Sequence, residues 1–171
     1  MKIKDITTYL ETIAPIAYQE SYDNSGLIVG DANAPVKKVL ITLDATEEVI
    51  DEAIAGKYQL VIAHHPIVFG GLKKFNGKNY VERVVIKAIK NNIAIYAIHT
   101  NYDNVAEGVN AKICERIGLT NCRILLPKRQ LLKKLYTFIP VAHHQQVAAA
   151  VFAAGAGHIG NYSETSFNVT G

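Results

Sequence analysis

Between Val39 and Thr100 the sequence repeats one alternation: short runs that are apolar on both sides, separated by segments whose apolar residues recur at helical spacing. The runs are VLITLD (Val39 to Asp44), LVIAHH (Leu60 to His65) and IAIYAIHT (Ile93 to Thr100). Val49, Ile50, Ala53 and Ile54 mark a helical face between the first two, and Val81, Val84, Val85, Ala88 and Ile89 mark another between the second pair. A further helix carries Val109, Ile113 and Ile117. A strand with no polar face has to be covered above and below, and a helix between two such strands returns the chain to start the next in the same direction. The pattern predicts an α/β fold, a parallel-rich sheet flanked by helices and joined by right-handed crossovers.

Ahead of this rhythm, Ile3, Ile6, Leu10 and Ile13 predict a helix ending before Pro15, and SYDNSGLIVG reads as a turn leading into a short apolar run. The start, MKIKDITTYLETIAP, lacks the pattern of a secretory signal. After Leu131 the character changes to strand, alanine-rich helix, glycine turn and strand, with Pro127–Arg129 as linker. The expected organisation is a main α/β domain over residues 1–130 and a partial second unit over 131–171. No charge occurs between Lys134 and Glu164, yet the apolar stretch VAAAVFAAGAG falls well short of the ~20 residues of a membrane span. It reads as a buried helix.

The net charge of +3 comes from 18 basic and 15 acidic residues, with Lys73, Lys74 and Lys78 forming one loose cluster and Lys128, Arg129, Lys133 and Lys134 another. Nucleic-acid readers carry a stronger basic face, so these lysines read as solvated surface and nucleic acid is not an expected partner. Cys114 and Cys122 fit neither a disulfide framework nor a zinc knuckle; reduced thiols and a cytoplasmic location are expected.

In parallel α/β sheets every strand delivers its last residue to one edge, where ligands gather. That edge collects His64 and His65 from the second apolar run, His99 and then Asp103 from the third, and Asp44 from the first. Imidazole and carboxylate together suit Zn²⁺, Mn²⁺, Fe²⁺ and Ni²⁺ alike. Adjacent histidines leaving a strand end in different directions could each hold one ion of a pair about 3.5–4 Å apart, with Asp103 bridging them. The structural alternative makes the histidines hydrogen-bonded core residues and Asp103 a helix cap. Asn104 with Glu107 already supplies a capping box for the helix that follows, which favours Asp103 as a ligand. His64, His65 and Asp103 are therefore the candidate metal ligands. His99 is the candidate catalytic residue, with an orienting role or direct ligation left open. Asp44 reads as the cap of the helix beginning near Thr46, Asp23 as a residue that could border the cleft, and His143, His144 and His158 as surface or core histidines.

The stretches YDNSGLIVG, ITLDAT, VIAHHPIVFGGLKKF and AIYAIHTNYDNVAEGVN resemble the GTP cyclohydrolase I type 2 homolog family, also called Ngg-interacting-factor-three-like proteins. The resemblance covers residues 1 to about 126, and 131–171 look like the first half of the PII-like domain inserted in longer members. It implies a toroidal homohexamer, two divalent ions per subunit in the complete protein, and a nucleotide substrate, with hydrolytic opening of the GTP imidazole ring and release of formate. The family's metal-binding histidine pair carries over to His64 and His65, and its bridging aspartate to Asp103. A later histidine and glutamate complete the family's site, and this sequence stops at Gly171 before such a segment, so half of a dinuclear centre is expected. Two other functions fit the same residues: a metal-binding scaffold without catalysis, and a dinuclear phosphoesterase.

Overall fold

The structure is a computed structural model that describes residues 1–125, 133–159 and 161–169. The chain divides into two units, Met1–Leu125 and Leu126–Gly171. The Pro127–Arg129 linker and the boundary near residue 130 lie outside the described residues.

The first unit is built in the order α1 (Ile3–Ile13), β1 (Gly26–Val29), β2 (Val39–Thr42), α2 (Glu47–Gly56), β3 (Leu60–Ala63), α3 (Tyr80–Lys90), β4 (Ala94–Ala97), α4 (Thr100–Asp103) and α5 (Val109–Arg116). The sheet order is β1-β4-β3-β2. β2, β3 and β4 run parallel, pairing Leu40 with Val61 and Val61 with Ile95. β1 runs antiparallel to β4, with Gly26 opposite Ala97. All four residues of β3 and all four of β4 are buried, as runs without a polar face require.

Alternation along the central strands sends side chains into two cores. Val61, Ala63 and Ile95 pack with Ile50 and Ala53 of α2 and Val84, Val85 and Ala88 of α3. Leu60, Ile62, Ala94 and Tyr96 pack with Ile3 of α1 on the opposite face. Helix α2 starts at Thr46, whose side chain accepts from Val49 N at 3.3 Å, and α3 starts at Asn79, which accepts from Glu82 N at 2.9 Å. The helices are tied side by side by Arg83 Nε to Glu47 Oε1 and by Lys87 Nζ to Asp51 Oδ1, both at 2.9 Å.

Several local expectations differ. The capping box at Asn104 and Glu107 does not form, because Asp103 closes the one-turn helix α4 and the next helix begins only at Val109. The Asn104 amide instead donates to Tyr18 O and Glu20 Oε1. In the second unit α6 (His144–Ala153) has no buried residue, and residues 133–140 form no strand. Among the described residues this unit therefore has no sheet on which the alanine-rich helix could be buried. No helix among them is long and apolar enough to cross a membrane.

β1 can lie flush on β4 only because Gly30 has no side chain: its φ is +108°, and a Cβ there would stand 2.6 Å from the Ala94 Cβ. Gly30→Ala combines left-handed backbone strain with overpacking and should destabilise the protein by about 2–4 kcal/mol in urea unfolding. Gly70→Ala, where a Cβ meets nothing within 4 Å, should change stability by less than about 1 kcal/mol.

Candidate metal centre

The strands are shorter than their apolar runs, and the difference makes the site. β3 stops at Ala63 and β4 at Ala97, so His64, His65 and His99 lie just beyond the regular pleat. Their backbones stay anchored: His64 N donates to Thr42 O at 3.1 Å, His65 N to Leu43 O at 2.9 Å, and Ile98 N to Ala63 O at 3.0 Å. Pro66 has no N–H with which to continue the ladder. His99 takes the N-cap position of α4 with φ −112° and ψ −115°, neither strand nor helix. Released from strict alternation, the three side chains gather on one side. Ring centroids are 5.0 Å apart for His64 and His65, 5.2 Å for His64 and His99, and 5.5 Å for His65 and His99. Each offers a ring nitrogen within 4.8 Å of the others, and the group could hold a metal ion.

The second nitrogen of each ring is committed elsewhere. His64 Nδ1 lies 2.9 Å from the Ile98 carbonyl oxygen, His65 Nδ1 2.8 Å from Asp44 Oδ1, and His99 Nδ1 2.8 Å from Asp23 Oδ1. A carbonyl or carboxylate oxygen only accepts, so each Nδ1 donates. In the neutral ring the lone pair is thereby placed on Nε2. Metal-binding histidines are characteristically held in this way, with the remaining N–H on a carboxylate or backbone carbonyl.

Asp23 is the most deeply placed acid of the group, its side chain wholly buried. Its Oδ1 accepts from His99 and from Asn24 N at 2.7 Å; its Oδ2 accepts from Thr100 N at 3.0 Å, from Ser25 Oγ at 3.0 Å and from the Thr100 hydroxyl. Burial by itself would raise its pKa. The hydrogen bonds from Thr100, His99, Asn24 and Ser25 outweigh it and hold the carboxyl well below the usual carboxylate range. The loop carrying His99 is locked by Asn101, fully buried, whose Oδ1 accepts from His99 N and whose Nδ2 donates to Ala14 O.

Asp103 stands at the mouth, Oδ1 3.9 Å from His64 Nε2 and with its side chain about one-third exposed. The structure thus brings His64, His65 and His99 together with Asp103 beside them. Asp44 is not the helix cap expected of it: Thr46 fills that position, which frees Asp44 for His65. Asp23, expected only to border the cleft, is the carboxylate behind His99. Asn101 was not singled out in the sequence, and nothing in its type or spacing distinguishes it. His143 and His144 stand at the start of α6 in the second unit.

A parallel-rich α/β sheet thus carries at its carboxyl edge a cluster of three imidazoles that could hold a metal ion. The chain belongs to the Duf34/NIF3 (NGG1p interacting factor 3) family, whose model matches residues 1–169. It is 41% identical over 169 residues to the GTP cyclohydrolase 1 type 2 homolog of Bacillus subtilis (strain 168), a match covering 98% of this chain and 45% of that protein. The Staphylococcus aureus (strain N315) protein of the same name is 34% identical over 171 residues, covering 100% and 46%. Among solved structures, a Bacillus cereus protein related to NIF3 superposes with a TM-score of 0.74 at 40% identity, covering 98% of this chain and 46% of that one. Reduced HcgD from Methanocaldococcus jannaschii gives 0.66 at 33% identity, covering 71% and 48%. The matched part of the chain spans less than half the length of each of these relatives.

A carboxylate whose folded pKa is depressed adds stability above its unfolded value, about 3.9 for aspartate, and loses that contribution as pH falls toward the folded value. Urea unfolding followed from neutrality to about pH 3 should show wild-type stability declining below about pH 4. Asp23→Asn should be less stable at neutrality and should depend less steeply on pH across that interval.

Proposed function

We propose that the chain supplies the histidine-rich part of a dinuclear metal centre in a hydrolase of the GTP cyclohydrolase type. The observation that supports it best is the histidine cluster: three rings, each tied through Nδ1, offer ring nitrogens within 4.8 Å of one another, with Asp103 beside His64 Nε2. His64, His65 and Asp103 would hold two divalent ions in the complete protein, with Zn, Fe, Mn and Ni all suited to the donors. Ions bound there supply Lewis acidity and bring the pKa of water toward neutrality. His99 would take a proton on Nε2 from a first water that adds to the imidazole carbon of GTP and return it to the ring nitrogen that leaves as the ring opens to a formamide; a second water, deprotonated in the same way, would cleave the remaining C–N bond and release formate. The shared name of the relatives supports this choice of substrate.

The reading includes a homohexameric assembly working in the cytoplasm, where the free thiols of Cys114 and Cys122 stay reduced. Edge strand β2 supports burial against further protein, since Ile41 within it and Leu43 just after it are 78% and 60% exposed.

Protein extended to the full length of the relatives should bind two divalent ions per subunit and release formate from GTP. His64→Ala and His65→Ala should each weaken metal binding by ~10-fold or more, read by competition with a chromophoric chelator. Metal-loaded protein that leaves GTP intact would overturn the catalytic reading in favour of a metal-binding scaffold. Turnover of generic phosphodiesters in place of GTP would reassign the substrate class.

A further inference from the structure

We infer that Asp23 is the positioning residue of His99: its buried carboxylate holds the proton on Nδ1 and so keeps the lone pair of this clustered histidine on Nε2. The inference deepens the reading above, resting on His99 working in that site, but its geometry stands on separate observations. Asp23 Oδ1 lies 2.8 Å from His99 Nδ1, and the side chain of Asp23 has no exposure to water. Four donors other than His99 fix the carboxylate in place: Asn24 N on Oδ1, and Thr100 N, the Thr100 hydroxyl and Ser25 Oγ on Oδ2. Thr100 Oγ1 in turn accepts from Glu20 N at 2.9 Å, so its own proton is directed at Asp23. Nothing in this arrangement can donate to His99 Nδ1. The imidazole is left one neutral tautomer, with Nε2 as its acceptor nitrogen, in a ring whose centroid lies 5.2 Å from that of His64 and 5.5 Å from that of His65.

The environment also dictates what an amide would do at this position. In Asp23→Asn the side-chain oxygen is best kept where three donors converge, the Oδ2 place facing Thr100 and Ser25. The NH₂ then occupies the Oδ1 place, giving up the one bond from Asn24 N, and donates to His99 Nδ1. That nitrogen becomes the acceptor, and the proton moves to Nε2, where it blocks both ligation and proton acceptance. A single-atom change with almost no change of volume therefore reverses the tautomer. Ser25→Ala is the contrasting variant: it removes one support on Oδ2 and leaves the bond from His99 to Oδ1 intact.

Long-range ¹H–¹⁵N correlation spectra of the metal-free chain, recorded above the histidine titration range, identify the tautomer directly. Wild-type protein and Ser25→Ala should carry the His99 proton on Nδ1, with Ser25→Ala less stable, and Asp23→Asn should carry it on Nε2. In the full-length protein Asp23→Asn should lower kcat for formate release by ~100-fold or more with KM near wild type. A wild-type proton on Nε2 overturns the inference, and so does a tautomer change in Ser25→Ala, which would make the effect one of general loosening. Should Asp23→Asn not fold, the other two spectra still decide. Absence of formate release together with the Nδ1 tautomer would overturn the proposed reaction and support the positioning role.

Discussion

The antiparallel pairing of β1 with β4 is the constraint on which the site depends. In a purely parallel sheet one edge receives only strand ends, and residues preceding a strand lie at the other. Because β1 is reversed, the turn before it, Asp23 to Ser25, arrives at the edge where β3 and β4 finish. The register of Gly26 on Ala97 then sets Asp23 behind His99 and Asn24 within reach of Val68 O at 2.7 Å. Gly30, stacked on Ala94, lets that pairing approach closely enough to hold. Backbone topology thus decides which carboxylate meets which imidazole.

Much of the architecture was legible because burial leaves a strong imprint on sequence. Runs such as LVIA and AIYA have no polar face to show to water and are buried throughout, whereas VLIT, read in the same way, forms the sheet's edge and leaves Ile41 exposed, because neighbouring strands decide which run is central. The helices between them declared their inner faces through Val84, Val85 and Ala88. The alanine-rich segment misled for the converse reason: small apolar residues predict a helix well, yet burial needs a partner layer, which a one-dimensional pattern does not contain.

The candidate site was legible through residue type and strand position, which picked out His64, His65, His99 and Asp103. The partners behind them were not. Asp44 and Asp23 occur in contexts, before a helix and within a turn, where aspartate is ordinary, and only three-dimensional pairing separates an orienting carboxylate from a cap. Asn101 lies deeper still: its amide spans from His99 N to Ala14 O, a link across 87 positions of chain that no local signal announces.

Those long links bear on what the site is before anything binds. The bonds from Asp23 to His99 and Thr100 close loops of 76 and 77 residues, and they exist only once the sheet is assembled. Much of the cost of restricting these side chains is met during folding, when the loops close. A guest at this cluster would meet a His99 ring whose position was fixed when the chain folded, so that little of its affinity would be subtracted for ordering that side chain. Selectivity among guests would accordingly come from their fit to a rigid frame.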